Sequence, residues 1–168
     1  MFSKKLSAFS SARVTGIKET AGCRKRPLPM NTVEMLKLAS KVLGMGPKEC
    51  TVYAERLYLK GYISYPRTES SAYPEHYDIL WCLRCCVTNR GTVEKHASNP
   101  QWGSYVSDLI AKGLKVPRRG VDMGDHPPIT PVASVDSNAL AGGEAALYDL
   151  ISKHFLSTVS DGGGDGAR

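Results

Sequence analysis

Met35, Leu38, Ala39 and Val42 recur at i, i+3, i+4 and i+7, the spacing of one helical face. Asn31 stands just before the run with Glu34 three positions on, the pattern of a capping box, and Gly44 follows as a stop. The pattern predicts a helix over 32–43. After Gly44-Met45-Gly46, Pro47 suits the first turn of a second helix. Its apolar face would carry Cys50, Tyr53, Ala54, Leu57 and Tyr58, and Gly61 would end it. Two helices joined by a short glycine turn form a helix-turn-helix unit.

The period then changes. Tyr62-Ile63-Ser64-Tyr65 is short and β-prone, and Pro66 biases Tyr65 towards extended backbone. Pro74 opens a further predicted helix towards Leu83, whereas 84–103 has no clean period and reads as a loop or insertion. Val106, Leu109 and Ile110 predict a helix closing at Gly113. Leu147, Leu150, Ile151 and Phe155 mark a last one from about 143 to 159. The glycine-rich end, Asp161 to Arg168, is expected to be disordered, and no internal repeat is visible. The predicted fold class is mainly α with a small β component. The expected division is a basic lead-in over 1–29, one domain over 30–159 with an atypical stretch at 81–99, and a tail over 160–168.

Composition narrows this. A chain of 168 residues with 42% apolar and 23% charged positions is the size and make-up of one globular domain. The net charge of +6 suggests nucleic acid until it is located: residues 1–30 hold seven Lys/Arg and one acid, and 31–168 hold fifteen of each. A phosphate-binding surface in the body must therefore be a local cluster, and Lys112, Lys115, Arg118 and Arg119 form the densest one. Five cysteines fit reduced thiols better than a disulfide framework. Cys82-x-x-Cys85-Cys86, with His76 or His96, invites a zinc reading, but no second pair stands at ligand spacing, and no metal site is readable. Residues 1–18 are basic, serine-rich and acid-free, which fits a mitochondrial transit peptide, an unstructured lead-in or an arbitrary start.

The candidate chemistry lies at Gly61-Tyr-Ile-Ser-Tyr-Pro-Arg-Thr-Glu-Ser70. Tyr65 and Arg67 are two positions apart and share a face in extended backbone. A phenol is a poor nucleophile near neutrality, with a pKa of about 10. A guanidinium beside it can stabilise the phenolate and grip a phosphate oxygen, which suits attack on a phosphodiester. Taken alone, the spacing fits a half-buried strand tyrosine beside a surface arginine more plainly. Glu69 could orient Arg67 or be a solvated acid. His126, in Gly124-Asp-His-Pro-Pro-Ile-Thr-Pro131, could be a second phosphate contact or a turn residue. Its neighbour Asp125 could fix the imidazole tautomer or form the turn.

These two stretches resemble motifs of the type IA DNA topoisomerases, and within them eukaryotic topoisomerase III, its beta form in particular. The resemblance covers roughly 24–80 and 100–159. It implies a CAP-like winged-helix tyrosine domain in which Tyr65 attacks the strand, with Arg67 and His126 on the phosphate. Asn31, Thr32, Ser64 and Thr68 are expected to line the nucleic acid, with the 112–119 cluster as a further contact. It also implies Mg²⁺ for the full-length family enzyme, held by a Toprim domain whose Asp-x-Asp cluster this sequence lacks, so the chain alone is expected to be inactive. Relaxation of negatively supercoiled DNA, single-stranded DNA or RNA as substrate, a nuclear location and a Tudor- or OB-fold partner follow from the same resemblance. The rival readings are a non-catalytic module gripping single strands by phosphate contacts and stacking, and a truncated product without function.

Overall fold

The computed structural model describes residues 13–18, 26–82, 103–117, 119–135 and 139–160. Among the described residues four helices are delimited, α1 (Thr32–Leu43), α2 (Pro47–Leu59), α3 (Gly103–Lys112) and α4 (Gly142–Val159). The Asn31 side chain accepts the Glu34 N–H at 2.9 Å and so caps α1, while Gly44, at φ +65°, closes it. Pro47 opens α2 as the sequence predicts. The predicted helix after Pro74 is only partly seen: the chain first turns at 75–76, and the described helical residues are 79–82. The 84–103 stretch, Cys23, Cys85, Cys86, His96, Arg118, residues 1–12 and the 161–168 tail lie outside the described residues, or nearly all so in the case of 84–103.

α1, α2 and α4 pack on one another around Met35, Ala39, Cys50, Ala54, Leu57, Leu147 and Ile151, with Met30, Ile63 and Ile129 closing one side. Val42, expected on the inner face of α1, is instead exposed. A second core gathers Ile79, Cys82, Val106 and Leu109 around Phe155, Leu156 and Val159. Helix α4 serves both: Leu147 and Ile151 face the first core, and Phe155 and Val159 the second. An 18-residue helix is about 27 Å long, which is enough to join two clusters end to end. This explains why α4 is buried on more than one stripe.

The small β component amounts, among the described residues, to two isolated antiparallel bridges, Met30 with Ile129 and Ile63 with Pro131. Segment 129–132 runs between the two others: Ile129 N–H donates to the Met30 carbonyl (2.7 Å), Ser64 N–H to Thr130 (2.9 Å) and Val132 N–H to Tyr62 (2.9 Å). A longer ladder cannot grow here. Pro127, Pro128 and Pro131 have no N–H to donate, so pairing stops after one bond to Met30 and two to the 62–64 segment.

The entry segment is pinned on α4. The half-buried His154 ring places Nε2 2.8 Å from the Leu28 carbonyl, and burial holds its pKa below the ordinary 6.5, against weaker upward pulls from that hydrogen bond and from Glu34. A depressed histidine favours the neutral fold, so its contribution is complete above about 6.5 and is lost as pH falls through the lower folded value. Urea midpoints should therefore fall between pH 7 and pH 5, and His154→Gln should flatten that limb. The core makes a second demand. Leu57→Ala, at a fully buried site, should lower stability by about 2–5 kcal/mol, while Leu59→Ala, at an exposed one, should stay within about 0.5 kcal/mol. Denaturant titration of the two variants checks this.

Candidate nucleic-acid interface

Helix α2 delivers the chain to Tyr65 through Gly61. Gly61 N–H bonds the Tyr58 carbonyl (2.8 Å) and Tyr62 N–H the Leu57 carbonyl (2.9 Å), closing the helix. This needs φ +74° at residue 61, a value that a side chain would strain. Ile63 then drops into the core. In uninterrupted extended backbone Tyr65 would follow it inward, because residues two apart share a face. It does not, because the chain bends at Ser64. Ser64 Oγ accepts the Thr130 N–H (2.9 Å) and donates to the Pro128 carbonyl (3.1 Å), which holds the bend. Beyond it the alternation restarts one residue out of phase: Pro66, Thr68 and Ser70 are buried, and Arg67 and Glu69 are exposed. Tyr65 joins the outer set and is half-buried.

The Tyr65 ring lies edge-on between two others. Its centroid is 4.6 Å from His126 and 5.2 Å from Tyr58. Among the described residues Tyr65 is contacted through its ring, not its hydroxyl. Arg67 is exposed and ion-paired with Glu55 of α2. Its pKa is raised, first by the hydrogen bond to Glu55, then by the charges of Glu55 and of a Tyr65 phenolate. Tyr65 and Arg67 are thus within electrostatic reach of each other. Tyr65, Arg67 and His126 form one exposed patch from segments sixty residues apart.

The seam beneath that patch is polar. Thr68 is 3% exposed; its hydroxyl donates to the His126 carbonyl (2.7 Å) and accepts the Ser70 N–H (3.1 Å). Ser70 Oγ, also buried, donates to Asp125 (2.7 Å) and accepts the Met123 N–H (3.0 Å). Asp125 further accepts the Glu69 N–H at 2.9 Å. These donors hold its carboxyl far below the ordinary 3.8, the Glu69 amide first, then the Ser70 hydroxyl and the His126 amide, despite its exposure. Thr32 Oγ1 accepts the Thr68 N–H (2.9 Å) and donates towards the Pro66 carbonyl (2.8 Å), and Asn31 donates to the Glu69 carbonyl (3.3 Å). Asn31, Thr32, Ser64 and Thr68, expected to face nucleic acid, are engaged within the chain in holding 64–69.

Other expectations resolve differently. The carboxylate on Arg67 is Glu55, twelve residues upstream, and Glu69 is exposed and makes its contacts through backbone. Asp125 neither sets an imidazole tautomer nor merely forms a turn, since its oxygens reach across to residues 69 and 70. Tyr58, read as a core residue, is 42% exposed against Tyr65. Lys112, Lys115 and Arg119 are exposed, and Arg118 lies outside the described residues. Their segment leads into the site from behind: a Cβ on Gly120 would fall 2.0 Å from the Ser71 carbonyl oxygen, so only glycine fits there. Among the described residues no three His, Cys, Asp or Glu converge as a cation site, and Asp122 and Asp125 are occupied by backbone and hydroxyl donors. These residues do not fit a magnesium ion.

A family model described as DNA topoisomerase matches residues 1–162. The chain belongs to the DNA topoisomerase family. It is 46% identical to DNA topoisomerase 3-beta-1 of Mus musculus over 156 residues, 93% of this chain and 17% of that protein. It is 44% identical to DNA topoisomerase 3-beta of Arabidopsis thaliana over 161 residues, 95% of this chain and 17% of that protein. DNA topoisomerase 3-alpha of Homo sapiens is 35% identical over 150 residues, 89% of this chain and 14% of that protein. The chain therefore spans about a sixth of the length of these topoisomerases.

The seam can be probed without substrate. Thr68→Val keeps shape but strands the Ser70 amide and the His126 carbonyl, and should cost about 1–3 kcal/mol in a denaturant titration. An unchanged midpoint would mean that water replaces the hydroxyl.

Proposed function

We propose that the chain is the tyrosine-bearing part of a type IA topoisomerase of topoisomerase III type, and that Tyr65 makes the covalent bond to the broken strand. In this reading the Tyr65 oxygen attacks the phosphorus of one backbone linkage. The bond to the 3′ oxygen breaks, the 5′-phosphate stays on the tyrosine, and the freed 3′ oxygen takes up a proton as the phenol loses one. Attack by that 3′-hydroxyl on the phosphotyrosine restores the strand, so one ester replaces another and no ATP is needed. Strand passage between the two steps would relax negatively supercoiled DNA.

The observation that carries this reading is the outward phase of Tyr65 beside His126 and within the field of Arg67. Arg67 would grip a non-bridging oxygen. Its pair with Glu55 is open to water, with side chains 63% and 40% exposed, so a phosphate can compete for it. His126, exposed and edge-on to the phenol, would contact the same phosphate. Lys112, Lys115, Arg118 and Arg119 would supply sequence-independent attraction, while Asn31, Thr32, Ser64 and Thr68 would act by shaping 64–69.

Residues 30–159 would form the CAP-like winged-helix domain, with α1, the Gly44–Gly46 turn and α2 as its helix-turn-helix. No residue of this chain is assigned to the divalent cation implied by the family, and no step is routed through it. Single-stranded DNA is the proposed substrate, with RNA as a related one, a nuclear location as the setting, and a Tudor- or OB-fold protein as a family-type partner. Alone, the chain is expected to bind strands without cutting them.

The test joins binding to adduct formation. A full-length enzyme carrying this segment, incubated with a labelled single-stranded oligonucleotide and Mg²⁺, should give a covalent adduct on a denaturing gel. Tyr65→Phe should abolish the adduct and leave binding within about threefold, because only the attacking oxygen is lost. Arg67→Ala should lower adduct formation by about 10²-fold or more. Adduct persisting in the Tyr65→Phe enzyme would refute the assignment.

A further inference from the structure

We infer that Asp125 is a positioning residue for the strand-cleaving centre: its carboxylate, through Glu69 and Ser70, fixes the loop that holds the His126 imidazole against Tyr65. The inference deepens the proposed function and rests on it.

The two loops have no ladder in common at this point. Side-chain bonds close to Tyr65 and His126 join them, backed by backbone bonds further along. Asp125 Oδ2 takes the Glu69 amide at 2.9 Å and Oδ1 the Ser70 hydroxyl at 2.7 Å, with the Thr68 hydroxyl 3.5 Å from the same Oδ1. Ser70, thus oriented, accepts the Met123 amide, and Thr68 donates to the His126 carbonyl. Behind them Ser71 and Ala72 donate to the Val121 carbonyl at 2.8 and 3.1 Å. The exposed histidine has little packing of its own, so its approach to Tyr65 depends on where this loop sits. Only an ionised carboxylate accepts on both oxygens at once. An asparagine presents an N–H₂ to one of the two donors and loses that bond.

The requirement for precision gives the latch a function beyond stability. A catalytic group misplaced by about 1 Å can lose on the order of 10²-fold in rate. Such a displacement need not unfold anything, since both cores lie elsewhere: none of Glu69, Ser70, Asp125 and His126 belongs to either of them.

The experiment uses this chain, isotope-labelled, with NOEs between the Tyr65 and His126 rings as the readout at pH 7. Wild type should show them strongly. In Asp125→Asn a shift of about 1 Å, the scale on which rate is lost, should weaken them roughly threefold or abolish them, with a cooperative thermal transition retained. Ser70→Ala removes one of the two bonds and should give a smaller loss; it also decides the matter if Asp125→Asn does not fold. In the full-length enzyme Asp125→Asn should lower kcat for adduct formation by about tenfold or more with KM nearly unchanged. Ring contacts unaltered in both variants overturn the inference, as does a lost contact with an unaltered kcat. Neither result touches the assignment of Tyr65, which stands or falls on the Tyr65→Phe enzyme.

Discussion

Three prolines among residues 127–131 deprive this stretch of the means by which a chain usually holds its neighbours. It must nevertheless lie between residues 28–30 and 62–64, because Ile129 completes the first core. Hydroxyls take over the work of the missing amides. Ser64, Thr68, Ser70 and Thr130 are placed where a strand would present N–H groups, the last three of them buried, and each has partners. A buried hydroxyl without partners is destabilising by a kilocalorie or more, so the arrangement is stable only when complete. Tyr65 and His126 owe their proximity to this constraint, as does the outward turn of the phenol.

The helices were readable because their signals are local. Asn31 and Glu34, the 35-38-39 stripe, Pro47 and the terminal glycines each act within a few residues, and the bounds of α1 follow from them directly. The composition of the seam was also visible, but its roles were not. A serine or threonine gives no sign in sequence of whether its hydroxyl faces a ligand or a carbonyl sixty residues away. Asn31, Thr32, Ser64 and Thr68 fit binding positions in sequence, and in the fold their side chains bond within the chain around 64–69. Tyr58 misled through the same periodicity that located α2: it lies at the edge of the apolar stripe, where one more residue of rotation turns it from the core to Tyr65. Glu55 gave no signal at all, since its pairing with Arg67 depends on how α2 and the following segment fold back.

That pairing shapes the electrostatics of the candidate site. An arginine left unpaired near a half-buried phenol would be free to adopt many rotamers, and ordering it on a phosphate would oppose binding entropically. Glu55 restricts it beforehand, yet remains exposed enough for the pair to have little net worth in water. A phosphodiester carries the same charge as the carboxylate and can present its oxygens to the same fork of N–H groups. In the proposed reaction a phosphate could therefore displace Glu55 from Arg67 and be released again.

The body of the chain carries equal numbers of acids and bases, so it offers no broad positive field to draw in nucleic acid. Among the described residues the positive charge at the site is that of Arg67, while Lys112, Lys115 and Arg119 are exposed on the segment that reaches Ser71 through Gly120. A few local charges neutralise few phosphates and so bind a strand weakly. Weak holding of the strand is compatible with an enzyme whose covalent bond, rather than its surface, retains the cut end. In the proposed reaction the phosphotyrosine ester would keep the 5′ side attached while the other side moves, so strong surface contacts along that path would oppose it. A balanced body with a half-buried tyrosine turned outward, an arginine in a water-exposed ion pair and a polar seam is what the proposed chemistry would ask of this part of the molecule.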